Sequence, residues 1–168
     1  MQSEGFEPIA ASSARVLILG TLPGQASLRQ HQYYALPQNG FWRIMGELLG
    51  ASPDLPYSAR TARLIESGVA LWDVCRAAYR PGSLDNSIRD PVPNNLLEFF
   101  NTHPQVTLIC FNGSKAAELY QKHVFPLLPL SMQQLRQRTL PSTSPANAVM
   151  SYAQKLSHWS IVRNECEI

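Results

Sequence analysis

The chain has 168 residues, of which 45% are hydrophobic and 15% are charged, and its formal net charge is +2. This length and composition predict one soluble domain over residues 1–168 with a substantial buried core. No apolar stretch approaches the ~20 residues that span a bilayer. The amino terminus has no basic start followed by an apolar segment, so we expect a cytoplasmic protein without a membrane partner. So small a net charge neither indicates nor excludes nucleic-acid binding.

The cysteine pattern bears on cofactors. Cys75, Cys110 and Cys166 are widely separated, and two of them lie within apolar runs where a thiol commonly behaves as a small hydrophobe. They form neither a disulfide framework nor a metal-binding pattern. We therefore expect no metal and no organic cofactor.

The first clear element is a strand over Val16–Leu19, a short apolar run typical of a strand buried on both faces. The turn at residues 20–24, GTLPG, ends it abruptly. Its two glycines would let the backbone approach a ligand at the strand end, although an ordinary tight turn is the simpler explanation of a lone motif of this kind.

The remaining elements alternate between helices and strands. A polar, aromatic loop over residues 33–40 precedes a helix from Phe41 to Leu49. The later pattern predicts helices over 58–67, 96–101, 116–120 and 148–156, strands over 69–72, 106–111 and 136–140, and a long loop over 76–93. This order predicts an α/β fold, a three-layer α/β/α sandwich with a mostly parallel central four-stranded sheet.

Three motifs in sequence order point to a family. They are GTLPG at 20–24, YYALPQNGFW at 33–42 and LPSTSPAN at 140–147. Together they resemble the uracil-DNA glycosylase superfamily, particularly its hypoxanthine-DNA glycosylase branch and also its mismatch-specific uracil and thymine branches. The resemblance implies a monofunctional DNA repair glycosylase that flips out a deaminated base, hypoxanthine before uracil, and hydrolyses its N-glycosidic bond.

Other readings of the function stay open. The alternatives are a uracil or mismatch-specific glycosylase and a catalytically inactive nucleic-acid-binding relic of the fold. The partner in each case would be double-stranded or single-stranded DNA, bound by a monomer. The relic reading has some support, because Leu22 stands where related branches carry a water-positioning asparagine, and Leu140 replaces a histidine of the uracil branch.

The resemblance also implies the catalytic residues. In the hypoxanthine branch the asparagine after the loop proline is linked to catalysis, which transfers that role to Asn39. Asn112 and the backbone from Leu22 to Gly24 would stabilise negative charge on the departing base. The structural alternatives are that Asn39 and Asn112 each cap the helix that follows them.

Base and DNA contacts complete the predicted site. Tyr34 would provide the aromatic floor for the flipped base, and the remaining base-binding candidates are Leu22, Pro23, Gly24 and Asp73. Asp73 could instead pair with Arg76 or Arg80, and Tyr34 could simply pack in the protein. The candidate DNA-binding residues are Ser142, Ser144, Pro145, Ala146 and Lys115, with the serines and the lysine on phosphates and Pro145 and Ala146 at the loop tip.

Overall fold

The computed structural model of the chain describes residues 2–167. Its central sheet has four parallel strands in the order β3-β2-β6-β7, with bounds β2 Val16–Gly20, β3 Val69–Asp73, β6 Leu108–Asn112 and β7 Arg136–Leu140. Each neighbouring pair is in parallel register. The prediction of a mostly parallel four-stranded sheet is confirmed, and this sheet is parallel throughout.

Two hydrophobic cores cover the two faces of this sheet. In β2, Val16 and Ile18 lie on one face while Leu17 and Leu19 lie on the other, and all four side chains are fully buried. This double burial explains the unbroken apolar run in the sequence. The helices that cover the sheet are α2 Phe41–Leu49, α3 Tyr57–Glu66 and α7 Tyr152–Cys166 on one face, and α4 Leu96–Thr102 and α5 Ser114–His123 on the other.

The remaining elements include a small second sheet that the sequence did not predict. It contains β1 Gln2–Glu4, β4 Cys75–Tyr79 and β5 Arg89–Pro93, paired antiparallel in the order β1-β4-β5. The predicted long loop over 76–93 is therefore wrong at both ends, and the connection without strands is confined to residues 80–88. Pro91 and Pro93 are tolerated because β5 lies at the edge of the sheet, where a strand needs fewer ladder hydrogen bonds.

Two further boundaries differ from the sequence prediction. The last helix spans 152–166 instead of 148–156, because a capping box of Ser151 and Gln154 sets its start. The strand predicted over 106–111 runs from Leu108 to Asn112. The remaining helices are short: α1 Gln25–Gln30, α6 Leu130–Gln133, and two 3-10 turns at Asp85–Ser87 and Phe125–Leu127.

Candidate active site

Three strand ends bring Gly20, Asp73 and Asn112 to one edge of the central sheet. These residues are the last of β2, β3 and β6, and β2 lies between the other two strands. Gly20 and Asp73 are direct register partners. The carboxyl ends of parallel strands are where ligands bind in open α/β sheets. The structure thus places the first motif, Asp73 and Asn112 together, as their order along the chain predicted.

Gly20 is required by the close approach of two oxygen atoms. A Cβ added there would lie 2.6 Å from Asp73 Oδ1 and 2.8 Å from the Tyr34 hydroxyl oxygen. Real Cβ atoms do not come so close to their neighbours, so even alanine would force the Tyr34 and Asp73 side chains to move. The strand ends in glycine because these two polar groups converge on it.

Tyr34 reaches this point from the loop before α2. Its backbone has a left-handed φ of 54°, which is uncommon for a residue with a side chain. Its ring stacks on Phe41 with 4.1 Å between centroids, and its buried hydroxyl has no hydrogen-bond partner within residues 2–167. Burial, and then the negative charge of Asp73, raise the pKa of Tyr34, while the neighbouring Asn112 side chain opposes the shift, and the hydroxyl keeps its proton at neutral pH.

Asp73 is only 4% exposed, and its Oδ2 atom has no hydrogen-bond partner among the described residues. Burial raises the pKa of this carboxyl from 3.8 to about 7; Arg80 opposes the shift, and Asp85 adds to it. The alternative that Asp73 pairs with Arg76 or Arg80 is wrong within residues 2–167: Arg80 forms its ion pair with Asp85 at 3.3 Å, and Arg76 is exposed whereas Asp73 is buried. Asp73 is fixed through its backbone, since the Asn94 side chain donates to its carbonyl at 2.8 Å.

Arg80, the residue that follows β4, holds the GTLPG turn in place. Its guanidinium donates to the carbonyls of Leu22 at 3.1 Å and Pro23 at 2.6 Å. Asp85 holds the arginine and also accepts a hydrogen bond from the Thr21 hydroxyl at 2.8 Å. This role of Arg80 could not be predicted from the sequence, because nothing in the local pattern distinguishes a buried arginine from an exposed one.

Leu22 does not present its side chain to this edge. The side chain is 5% exposed and belongs to the hydrophobic core on the α4 and α5 face. Any contact of Leu22 with a ligand would therefore come from its backbone. Pro23 is also buried, whereas Gly24 is half-buried beside Ser83.

Asn112 and Thr143 link three segments. The Asn112 side chain donates to Thr143 Oγ1 at 2.9 Å and accepts from the Thr143 backbone N–H at 3.0 Å. The Thr143 carbonyl accepts from Gly40 N–H at 3.0 Å, just before α2. The helix-capping alternative for Asn112 is wrong, because Gly113 is the N-cap of α5 and no side chain caps that helix. Thr143 was not singled out from the sequence, where it is one of several small polar residues.

Asn39 lies in the same loop as Tyr34 and is half-buried. Its Oδ1 atom accepts from the backbone N–H of Phe41 at 3.0 Å, although the N-cap position itself is Gly40. This bond uses only the carbonyl oxygen of the amide, and the two Nδ2 donors take no part in it. Asn39 thus supports the start of α2 and keeps donors for a second role.

The loop at 141–147 is ordered by its own serines. Ser142 Oγ accepts from the Ser144 N–H, and Ser144 Oγ accepts from the Ala146 N–H, each at 3.2 Å. Both hydroxyl protons remain available for a ligand such as a phosphate. Pro145 and Ala146 are exposed, as expected for a loop tip.

The same loop lies against the start of α5. A Cβ on Gly113, whose φ is 94°, would meet Ser142 Cβ at 3.2 Å. Lys115 in the first turn of α5 is partly exposed and forms a 3.4 Å ion pair with Glu118. The structure therefore brings Ser142 and the start of α5 together, while Lys115 is shared with a neighbouring acid.

A parallel sheet with helices on both faces and polar groups at its strand ends defines an α/β protein, a class in which ligands usually bind at the carboxyl ends of the strands. The family model for the uracil DNA glycosylase superfamily matches residues 7–164, and the chain belongs to this superfamily. It is a DNA glycosylase and its substrate is DNA. No helix within residues 2–167 combines the length and apolarity needed to cross a membrane.

Relatives of this chain include two curated proteins named hypoxanthine DNA glycosylase. The one from Methanosarcina acetivorans is 37% identical over 163 residues, which is 96% of this chain and 98% of the relative. The one from Methanosarcina barkeri is 38% identical over 119 residues, 70% of this chain and 75% of the relative. A solution NMR structure of a candidate uracil DNA glycosylase from Methanosarcina acetivorans superimposes with a TM-score of 0.81 at 35% identity, covering 98% of this chain and 99% of that one.

Proposed function

We propose that this glycosylase removes hypoxanthine from deoxyinosine in DNA and leaves an abasic site. The observation that carries the proposal is that two buried polar atoms beside the strand ends, Asp73 Oδ2 and the Tyr34 hydroxyl oxygen, have no hydrogen-bond partner within residues 2–167. Buried polar atoms are normally paired, so unpaired ones at a ligand-binding edge indicate a site that a polar ligand completes. The names of the two curated relatives support hypoxanthine as that ligand.

In the proposed reaction Asn39 holds the attacking water. Its Oδ1 is anchored to the Phe41 N–H, and its Nδ2 donors orient the water toward the sugar carbon C1′. The bond between C1′ and the base breaks as the sugar gains positive charge, and the water oxygen then bonds to C1′. The electron pair of the broken bond leaves with the base. An amide is too weak a base to remove the water proton early, so this role is one of positioning. The water loses its proton to solvent after the C1′–O bond has formed, and the released base anion takes up a proton from solvent.

Negative charge on the departing base needs donors. Asn112 uses one Nδ2 proton on Thr143, which leaves its second Nδ2 proton for the base. The backbone N–H groups of Leu22 and Gly24 are the other proposed donors, in a turn that Arg80 holds rigidly. No lysine is assigned to the sugar, so we propose hydrolysis without strand cleavage.

DNA is bound around this centre. Tyr34 stacks on one face of the flipped base, with Phe41 supporting the ring from behind. Ser142, Ser144 and Lys115 contact phosphates. Pro145 and Ala146 at the loop tip fill the space that the flipped nucleotide leaves. The protein acts as a monomer, and residues 1–168 form one domain.

A nicking assay on defined DNA tests the proposal. Duplexes and single strands, each with one hypoxanthine, uracil or xanthine or a G·T mismatch, are incubated with the protein and then treated with alkali to cut abasic sites. We expect the fastest cleavage for hypoxanthine, only after alkali, and none for adenine at the same position. Faster release of uracil would support the uracil-specific alternative. Binding without release of any base would support the inactive relic.

A further inference from the structure

The carboxyl of Asp73 is a buried acid at the end of β3. Its side chain is 4% exposed and its Oδ2 has no partner within residues 2–167. The cost of burying a carboxylate without compensating donors is high, so such groups tend to take up a proton. Because Asp73 lies at the strand end where the base would sit, its protonation state decides what it can bind.

Burial favours the neutral form of Asp73, and its charged neighbours act in opposite directions. Arg80 lowers the pKa of Asp73, but its guanidinium is already bound to Asp85 and to two backbone carbonyls of the GTLPG turn. Asp85 adds like charge, and burial keeps the remaining titratable neighbours protonated at neutral pH, with raised pKa values in each case: Cys75, Tyr33 and Tyr34. Asp73 is therefore the one group of this set that can change its charge near neutral pH.

Geometry indicates which oxygen of the neutral acid holds the proton. Asp73 Oδ1 lies beside Gly20, 2.6 Å from the position that a Cβ would take there, whereas Oδ2 is fully buried and receives no hydrogen bond within residues 2–167. A negative charge on such an oxygen would have no compensating donor, so the proton of the neutral acid belongs on Oδ2. Oδ2–H is then a donor without an acceptor among the described residues.

Deamination gives that donor its acceptor. Adenine and cytosine have an exocyclic amino group, a donor, and deamination replaces it with a carbonyl oxygen, an acceptor. We propose, resting on the function proposed above, that Asp73 acts as a neutral carboxylic acid whose Oδ2–H donates to this new carbonyl and so distinguishes a deaminated base from its amino parent. An ionised Asp73 would repel the carbonyl and accept from the amino group, which reverses the preference.

The first test uses the pH dependence of base release. Single-turnover excision of hypoxanthine is measured from pH 6 to 8, below the range where the base loses its own ring proton. For the unmutated protein we expect a fall of about tenfold, because ionisation of Asp73 removes the donor. The D73N variant keeps an N–H donor that does not titrate, and its rate should stay level over this range. The exposed control D54N should follow the unmutated protein.

Several results would overturn the proposal. A rate that rises or stays level from pH 6 to 8 in the unmutated protein would show that Asp73 works ionised or not at all. An unchanged fall in D73N would place the titration on another group. A folded D73N protein that is inactive at every pH would show that an uncharged donor at this position is not sufficient.

The second test needs no variant and no catalysis. The unmutated protein is titrated with duplexes that contain 2′-fluoroarabino analogues of deoxyinosine or deoxyadenosine, which resist hydrolysis. We expect its preference for the inosine analogue to fall about tenfold between pH 6 and 8. A constant preference would overturn the proposal even if hypoxanthine is excised. A falling preference in a protein that releases no base would retain the role of Asp73 while the hydrolase function fails.

Discussion

Replacing Asn39 with alanine separates the catalytic from the structural role of this residue. The expected loss of stability is small, because the substitution removes one hydrogen bond, which the Phe41 N–H donates to Asn39 Oδ1 at 3.0 Å at the start of α2. Bonds of this kind at helix starts contribute about 1 kcal/mol. Helix α2 is also held by five buried side chains, Phe41, Trp42, Ile44, Met45 and Leu48, so the loss should remain local.

That structural loss cannot account for a large loss of rate. A domain of this size with a stability of at least ~5 kcal/mol stays more than about 99% folded after losing ~1 kcal/mol, and its melting temperature falls by only about 2–4 °C. If Asn39 positions the water, single-turnover excision should fall by about two to four orders of magnitude. This equals about 3–5 kcal/mol in the barrier. Affinity for a duplex with a non-cleavable deoxyinosine analogue should be nearly unchanged.

Two further variants control this experiment. Asn95→Ala removes a comparable hydrogen bond at the start of α4, which the Glu98 N–H donates to Asn95 Oδ1 at 3.1 Å. It should lower the melting temperature by a similar amount to Asn39→Ala without slowing excision. Asn39→Ser keeps an oxygen that can accept from the Phe41 N–H but lacks the amide, so it should recover stability and stay slow. If excision by Asn39→Ala is within a few fold of the unmutated rate, the water-positioning role is refuted.

Four other expectations follow from the structure. Leu22→Asn places a polar amide in the core and should lower the unfolding free energy by about 2–4 kcal/mol in denaturant titrations, so that a gain in uracil excision without such a loss would contradict the core position. Thr143→Val leaves the Asn112 amide without its Oγ1 acceptor and should cost about 1–3 kcal/mol in the same measurement, whereas Thr143→Ser should be close to unmutated. The pKa of Asp73 is raised from 3.8 to about 7, so the folded state holds this proton more tightly than the unfolded state. The protonated group therefore contributes fully to the unfolding free energy below pH ~4, and up to about 4 kcal/mol of that contribution is lost as the pH rises through 7. The stability of D73N relative to the unmutated protein should therefore increase between pH 4 and 8, and parallel profiles of stability against pH would refute the shift. Lys115→Ala should reduce the slope of log affinity against log salt by about 0.9 if Lys115 binds a phosphate, and an unchanged slope would remove it from the interface.

The sequence by itself determined the sheet and the position of the site. Strands buried on both faces must be apolar throughout, so the strands at Val16–Leu19 and from Val69 onward can be recognised from the sequence. Helices between them imply parallel strands, and parallel strands place their ends at one edge. That logic places Gly20, Asp73 and Asn112 together from the sequence alone. The family followed from three motifs whose order the fold requires.

Only the tertiary structure decided which atoms of the site are free. Leu22 turns its side chain into the core, Thr143 joins three segments that are distant in sequence, and Arg80 pairs with Asp85 instead of Asp73. None of these choices has a local signal, because a hydrogen-bonding partner is selected by packing between distant segments and not by neighbours in the chain. The second sheet was missed for a similar reason, since an edge strand accepts prolines that normally indicate a loop. The Oδ2 atom of Asp73 has no partner within residues 2–167 because the neighbouring donors are bound elsewhere, and only the tertiary structure shows where each donor lies.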